Sequence, residues 1–214
     1  MPIITIDGNI GCGKSSCLDF IHTHYSSNKC AIIKEPVDKW MPLLEKIYCH
    51  DTGHFELQMT IMKDRGFIQD TPNKNKFIER SMYFTVNVFV QSLVETNNGK
   101  KPKITNKEHK HLLELYNSIK ETTHEPNLYV YIRTPPEKCM ERIKIRNRQF
   151  EDHITYDYIE LLHNLHEKAF EKAKKLGLNV LLLDGSESVE KLIEQIMYNI
   201  DMNCNNKNHN FDEK

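Results

Sequence analysis

Residues 8 to 15, Gly8-Asn9-Ile10-Gly11-Cys12-Gly13-Lys14-Ser15, match the pattern G-x-x-x-x-G-K-S/T, whose residue types suit the cradling of phosphates. Glycines allow backbone conformations that let successive N–H groups turn inward on an anion. A helix opening at the end of such a loop adds its partial positive charge. Lys14 is placed to reach β- and γ-phosphates, and Ser15, followed by Ser16, to meet Mg²⁺.

Carboxylates and guanidiniums recur further along. Glu35-Pro36-Val37, with Trp40 close behind, offers an acid that can accept a proton from a hydroxyl, since phosphoryl transfer asks of a base mainly that it be within hydrogen-bond reach. Glu79-Arg80-Ser81 offers a metal-binding carboxylate and a guanidinium that can contact a transferring phosphoryl group or hold Glu35. Arg142 and Arg146 are four apart and share a helix face, with Arg148 just past it. Clustered arginines beside a loop suit a lid over phosphates, although a solvated basic face has the same composition. Gln58 and Arg65 are seven apart and share a face with Ile61; a glutamine both donates and accepts, which suits a nucleobase edge. The histidine pairs have no acid or thiol companions at metal-ligand spacing and read as surface residues.

These groups need elements to hold them. Ile3–Asp7, Cys30–Lys34, Lys76–Ile78, Leu128–Ile132 and Val180–Leu183 are short apolar runs that predict strands of a parallel sheet covered on both faces. Helices are expected after the loop over 16–25 and over 41–50, 54–69, 81–95, 106–121, 136–147, 156–176 and 188–200, with Thr134 as the cap of the sixth segment in that list. The alternation predicts an α/β fold: a doubly wound five-stranded parallel sheet of the P-loop NTPase-like kind, with helices on both faces and an arginine-rich lid. Ligands of such sheets bind beyond the carboxyl ends of the strands, and every strand predicted here delivers a polar or charged residue at that end.

The chain has 214 residues, enough for one domain with a large core and no disulfides. A formal charge of −1 gives no general attraction to nucleic acid or an anionic membrane, and no apolar run is long enough to span a bilayer. The six cysteines lack paired spacing and read as reduced thiols, and the N-terminus runs straight into a strand, so the expected location is cytoplasmic. Residues 1–202 are expected to form the domain. The Asn- and Lys-rich segment 203–214 is expected to be a disordered tail, and 97–103 a mobile connection.

In order, Gly8 to Ser16, Glu35-Pro36-Val37 with Trp40, Glu79-Arg80-Ser81, and Pro136-Glu137-Lys138-Cys139 leading into Arg142, Arg146 and Arg148 resemble the deoxynucleoside kinase family over about residues 3 to 200. Its compactness resembles forms from bacteria or large DNA viruses. The resemblance implies transfer of a phosphoryl group from ATP, with Mg²⁺, to the 5′-hydroxyl of a deoxynucleoside. It makes Glu35 the base, Arg80 its orienting partner, Lys14 and Ser15 phosphate and metal contacts, Glu79 a neighbour of Mg²⁺, and Arg142, Arg146 and Arg148 lid residues. It further implies that Gln58 pairs with the base edge, Phe89 stacks on the base, Tyr48 and Glu151 hold the 3′-hydroxyl, and Trp40 and Leu57 wall the pocket. Thr85 stands where purine-tolerant relatives carry an aspartate, while Arg65 matches the arginine that aspartate pairs with; with bulky Ile61 and Met62 this tilts the expectation toward pyrimidines. The family habit is a homodimer through helices, here 81–95 and 106–121. A thymidylate-kinase-like enzyme acting on monophosphates is an alternative, but it needs more cations in the acceptor pocket. A silent nucleotide-binding subunit and a hydrolytic switch protein are others.

Overall fold

The computed structural model describes residues 2–25, 30–66, 75–95 and 101–208. Five strands, β1 (Ile3–Gly8), β2 (Cys30–Ile33), β3 (Asn75–Glu79), β4 (Leu128–Arg133) and β5 (Val180–Asp184), form one sheet in the order β2-β3-β1-β4-β5. Every pairing is parallel. The predicted strands are therefore all present, each within about two residues of its expected bounds. β1 and β4 are buried almost throughout, which explains their unbroken apolar runs.

The helices are α1 (Lys14–His24), α2 (Val37–His50), α3 (His54–Gly66), α4 (Met82–Phe84), α5 (Asn106–Thr122), α6 (Pro136–Arg146), α7 (Tyr156–Lys175) and α8 (Val189–Asn208). One core lies where α1, α6, α8 and the β1–β4 face meet, around Ile4, Ile6, Leu18, Val130 and Ile132. A second, between α7 and the segment after β3, is dominated by Tyr83, Phe84, Tyr129 and Tyr131. A third packs α3 and α5 against Val86 and Val90. No described helix is long and apolar enough to cross a membrane.

Several expectations need correction. The helix expected over 81–95 is a single turn, α4, that widens into a π-helix over Thr85–Val90. The Gln91 N–H donates to the Val86 carbonyl five residues back, and the Thr85 hydroxyl back-bonds to the Ser81 carbonyl at 2.8 Å. Such widenings frequently mark functional sites. Helix α2 starts at Val37, four residues before the predicted start, and keeps Pro42 inside it. Tertiary contacts override the proline there: Trp40 is buried and its indole N–H donates to Asp64 at 2.8 Å. Thr134 does not cap α6; Pro135 occupies that position and the Thr134 hydroxyl donates to the Cys12 carbonyl at 3.1 Å. Helix α8 runs to Asn208, so it overlaps the expected tail; 209–214, like 97–100 of the expected mobile connection, lie outside the described residues.

Candidate active site

The carboxyl ends of the strands converge on one cleft of about 680 Å³. At its floor, the loop after β1 turns through three glycines with positive φ: Gly8 (145°), Gly11 (77°) and Gly13 (111°). At Gly8 a Cβ would stand 2.6 Å from the Cys12 sulfur and 2.7 Å from the Ile132 carbonyl oxygen, so only glycine fits. Asn9 braces the turn: its amide donates to the Ile159 carbonyl at 2.8 Å and its side-chain oxygen accepts from the Ile10 N–H at 2.8 Å. Gly8 and Asn9 thus form the base of the loop, while Ile10 to Ser16 line the cleft. Lys14, nearly buried at the start of α1, donates its ammonium to the carbonyls of Gly8 (3.1 Å) and Asn9 (2.8 Å).

Glu35, just past β2, faces the same cleft. Its Oε1 accepts from Arg80 Nε at 2.8 Å and from Arg65 Nη2 at 2.7 Å, while Arg80 Nη2 reaches Oε2 at 3.5 Å. Burial alone pushes the Glu35 carboxyl up, but Arg80, Arg65 and Lys14 outweigh that effect and hold it at about 2. It is ionised at any physiological pH. Arg80 itself adopts a left-handed backbone (φ 65°), and its guanidinium lies 3.8 Å from the centre of the Phe89 ring. This strained residue joins the acid of one strand end to an aromatic of the π-helix.

Between loop and acid, the Ser15 hydroxyl donates to Glu79 Oε1 at 2.7 Å, and Glu79 Oε2 accepts the Glu35 N–H at 3.2 Å. A hydroxyl and a carboxylate side by side are hard oxygen donors of the kind Mg²⁺ takes. No cluster of three or more His, Cys, Asp or Glu that could hold a metal occurs among the described residues. The oxygens present fit a magnesium ion shared with phosphates, not a cage made by protein alone.

On the opposite wall, Trp40, Tyr48, Leu57, Gln58, Thr85 and Phe89 all face the cleft. The Gln58 side-chain oxygen is buried without a partner among the described residues, which leaves it an acceptor to offer. Ile61 lines the cleft, but Met62 packs instead into the core with Val86 and Val90. Arg65 too, expected in the acceptor pocket, does not line the cleft; its guanidinium pairs with Glu35 instead.

The arginines of α6 sit over the loop. Arg142 donates to the carbonyls of Cys12 and Gly185, each at 2.9 Å. Arg146 forks onto Glu151 at 2.8 and 3.1 Å, with Arg148 3.6 Å from the same carboxylate. Asn147 ends α6 in the left-handed region (φ 47°), so Arg148 projects from a loop as expected.

Three groups escaped the sequence reading. Asp7 is fully buried and accepts from the Ser81 N–H (2.7 Å) and hydroxyl (3.0 Å), tying β1 to the residue after Arg80. A charge inside an apolar strand was the available signal. Tyr158 of α7 also lines the cleft and has no sequence signature. His166, one of the paired histidines expected at the surface, is instead buried in a stack with Tyr131 and Phe84, because its ring packs on the apolar face of α7 against the sheet.

A family model described as deoxynucleoside kinase matches residues 4–205. The chain belongs to the deoxynucleoside kinase family. Human mitochondrial thymidine kinase 2 is 29% identical over 93% of this chain and 76% of that protein. The thymidine kinase of Ictalurid herpesvirus 1 is 26% identical, covering 91% and 84%, and deoxycytidine kinase 2 of Gallus gallus is 28% identical, covering 86% and 82%. The solved structure of a deoxyadenosine kinase from M. mycoides with bound dCTP shares the fold, with a TM-score of 0.76 at 22% identity over 94% of this chain and 99% of that one. As a deoxynucleoside kinase the protein is a phosphotransferase that acts on deoxynucleosides and draws on a nucleotide phosphate donor. This separates it from the monophosphate kinases and from silent nucleotide-binding subunits.

Proposed function

We propose that this deoxynucleoside kinase transfers the γ-phosphoryl group of ATP to the 5′-hydroxyl of a deoxynucleoside, with Glu35 accepting the hydroxyl proton. The observation that carries the reading is the shared cleft: the glycine loop, the ionised Glu35 and the Gln58–Phe89 wall all face it. Glu35 Oε1 is occupied by two guanidiniums, so Oε2 is the oxygen that takes the proton as the new bond to phosphorus forms. A carboxyl at about 2 is a weak base; a loose transition state suits it, because proton transfer is late there.

Ser15 and Glu79 would hold Mg²⁺, which would supply charge neutralisation at the phosphate oxygens. Lys14 and the loop N–H groups would grip the β- and γ-phosphates. Arg142, Arg146 and Arg148 would close over them and screen the reacting group from water. In the acceptor half, Gln58 would pair with the base edge, Phe89 would stack on it, Trp40 and Leu57 would wall it, and Tyr48 and Glu151 would hold the 3′-hydroxyl.

Two finer points belong to the same reading. A pyrimidine fits best, because Thr85 is uncharged with its hydroxyl tied to the Ser81 carbonyl, and Ile61 narrows the wall. The enzyme works in the cytoplasm as a homodimer, with the π-helix segment and α5 as the contact. The deciding experiment is turnover of Glu35→Gln on a panel of four deoxynucleosides with ATP and Mg²⁺. A fall of about 10²–10⁴-fold with nucleotide binding kept is expected; turnover at the wild-type rate rejects Glu35 as the proton acceptor.

A further inference from the structure

We propose that Arg65 is a positioning residue for the Glu35–Arg80 pair and not a contact for the nucleobase, an inference that rests on Glu35 as the proton acceptor. Arg65 ends α3 and is 8% exposed. Its Nη2 donates to Glu35 Oε1 at 2.7 Å, and its Nη1 donates to the main-chain carbonyl oxygen of Arg80. One guanidinium therefore holds the acid from β2 and the backbone of the arginine after β3 at once.

Both attachments are needed by what they hold. Arg80 has a left-handed φ of 65°, a conformation that persists only where the surroundings over-determine it. Its N–H is tied to the Ile6 carbonyl at 2.8 Å, and its carbonyl is tied to Arg65. Glu35 receives Arg80 Nε and Arg65 Nη2 on the same oxygen, leaving Oε2, among the described residues, with only the 3.5 Å approach of Arg80 Nη2. Arg65 thus decides which carboxylate oxygen faces the acceptor.

The same helix supplies the base-edge group elsewhere. Gln58 lines the cleft with an oxygen that has no partner among the described residues, whereas Arg65 faces a separate cavity of about 310 Å³ behind Arg80. Thr85, the residue at which an acid could have drawn Arg65 toward the base, offers no charge and has its hydroxyl engaged. With no acid there, the guanidinium pairs with Glu35.

The test is steady-state kinetics of Arg65→Met and Arg65→Lys on four deoxynucleosides, alone and in the Glu35→Gln background. Arg65→Met should lower kcat by about 10–10²-fold, by a similar factor for all four, with KM nearly unchanged. Arg65→Lys should recover part of the loss, because its ammonium can neutralise Oε1 without also reaching the Arg80 carbonyl. In the Glu35→Gln background, either change should cost little more, since Arg65 acts through Glu35. An unchanged kcat, a shift in the ranking of the bases, or full additivity with Glu35→Gln overturns the assignment. Wild-type turnover of Glu35→Gln alone instead removes the base reading, so the two failures are distinct. Should Arg65→Met not fold, Arg65→Lys carries the same comparisons.

Discussion

The Ser15 hydroxyl and the Glu79 carboxylate, sixty-four residues apart in the chain, meet at 2.7 Å. The contact joins the first turn of α1 to the end of β3 and sets two oxygens beside Lys14. It also defines a testable metal site. Glu79→Gln keeps the shape and removes the charge, and should raise the Mg²⁺ concentration for half-maximal rate by about 10–100-fold. A magnesium titration of the rate decides it: an unchanged half-saturation point removes Glu79 from the site.

Specificity can be probed at Thr85, which is buried, lines the cleft and carries no charge. Thr85→Asp should raise kcat/KM for purine deoxynucleosides or deoxycytidine relative to thymidine. An unchanged ratio across the panel argues against Thr85 lying over the base.

The loop geometry separates two glycines. Gly8→Ala drives a Cβ to 2.6 Å from the Cys12 sulfur and 2.7 Å from the Ile132 carbonyl oxygen, so it should distort the loop and abolish nucleotide binding. Gly177 also has positive φ (72°) but nothing within 4 Å, so Gly177→Ala should cost only the backbone penalty of about 1–2 kcal/mol. Nucleotide titration and thermal unfolding of both variants check this; equal effects would mean the close approach at Gly8 is unimportant.

Acid stability should report the aromatic stack. Burial lowers the His166 imidazole from 6.5 to about 3, so the native protein holds it neutral while the unfolded chain protonates it. The unfolded state then binds more protons, and stability falls with falling pH from about 6.5 to about 3, at up to about 1.4 kcal/mol per pH unit. Glu35, depressed from 4.5 to about 2, adds its own loss only below about 4.5. His166→Phe should therefore delay the acid loss to below about pH 4.5. Denaturant titrations between pH 3 and 7 test it, and an unaltered onset assigns the loss to other groups.

The strands and the phosphate loop were legible because their signals are local. Apolar runs ending in polar residues are what a doubly covered parallel sheet requires, and the loop is a contiguous motif. Even so, local rules misplaced one start and one cap. The start of α2 expected at 41 lay four residues late: the helix begins at Val37 and keeps Pro42 inside it, with Trp40 buried and its indole bonded to Asp64. The capping pattern at Thr134 was genuine chemistry aimed elsewhere, because the hydroxyl found the Cys12 carbonyl across the fold.

The order of residue types along the chain was sufficient by itself to determine the glycine cradle, the parallel sheet and the presence of an acid and arginines at the strand ends. Each of these depends on neighbours within a few positions. Only the folded chain decided the pairings: that Arg65 and Arg80 grip one oxygen of Glu35, that Ser15 meets Glu79, and that Arg80 takes a left-handed turn against Phe89. Those contacts join segments that touch only once β1, β2 and β3 lie side by side, and no short-range pattern encodes which of several available partners a buried charge will choose.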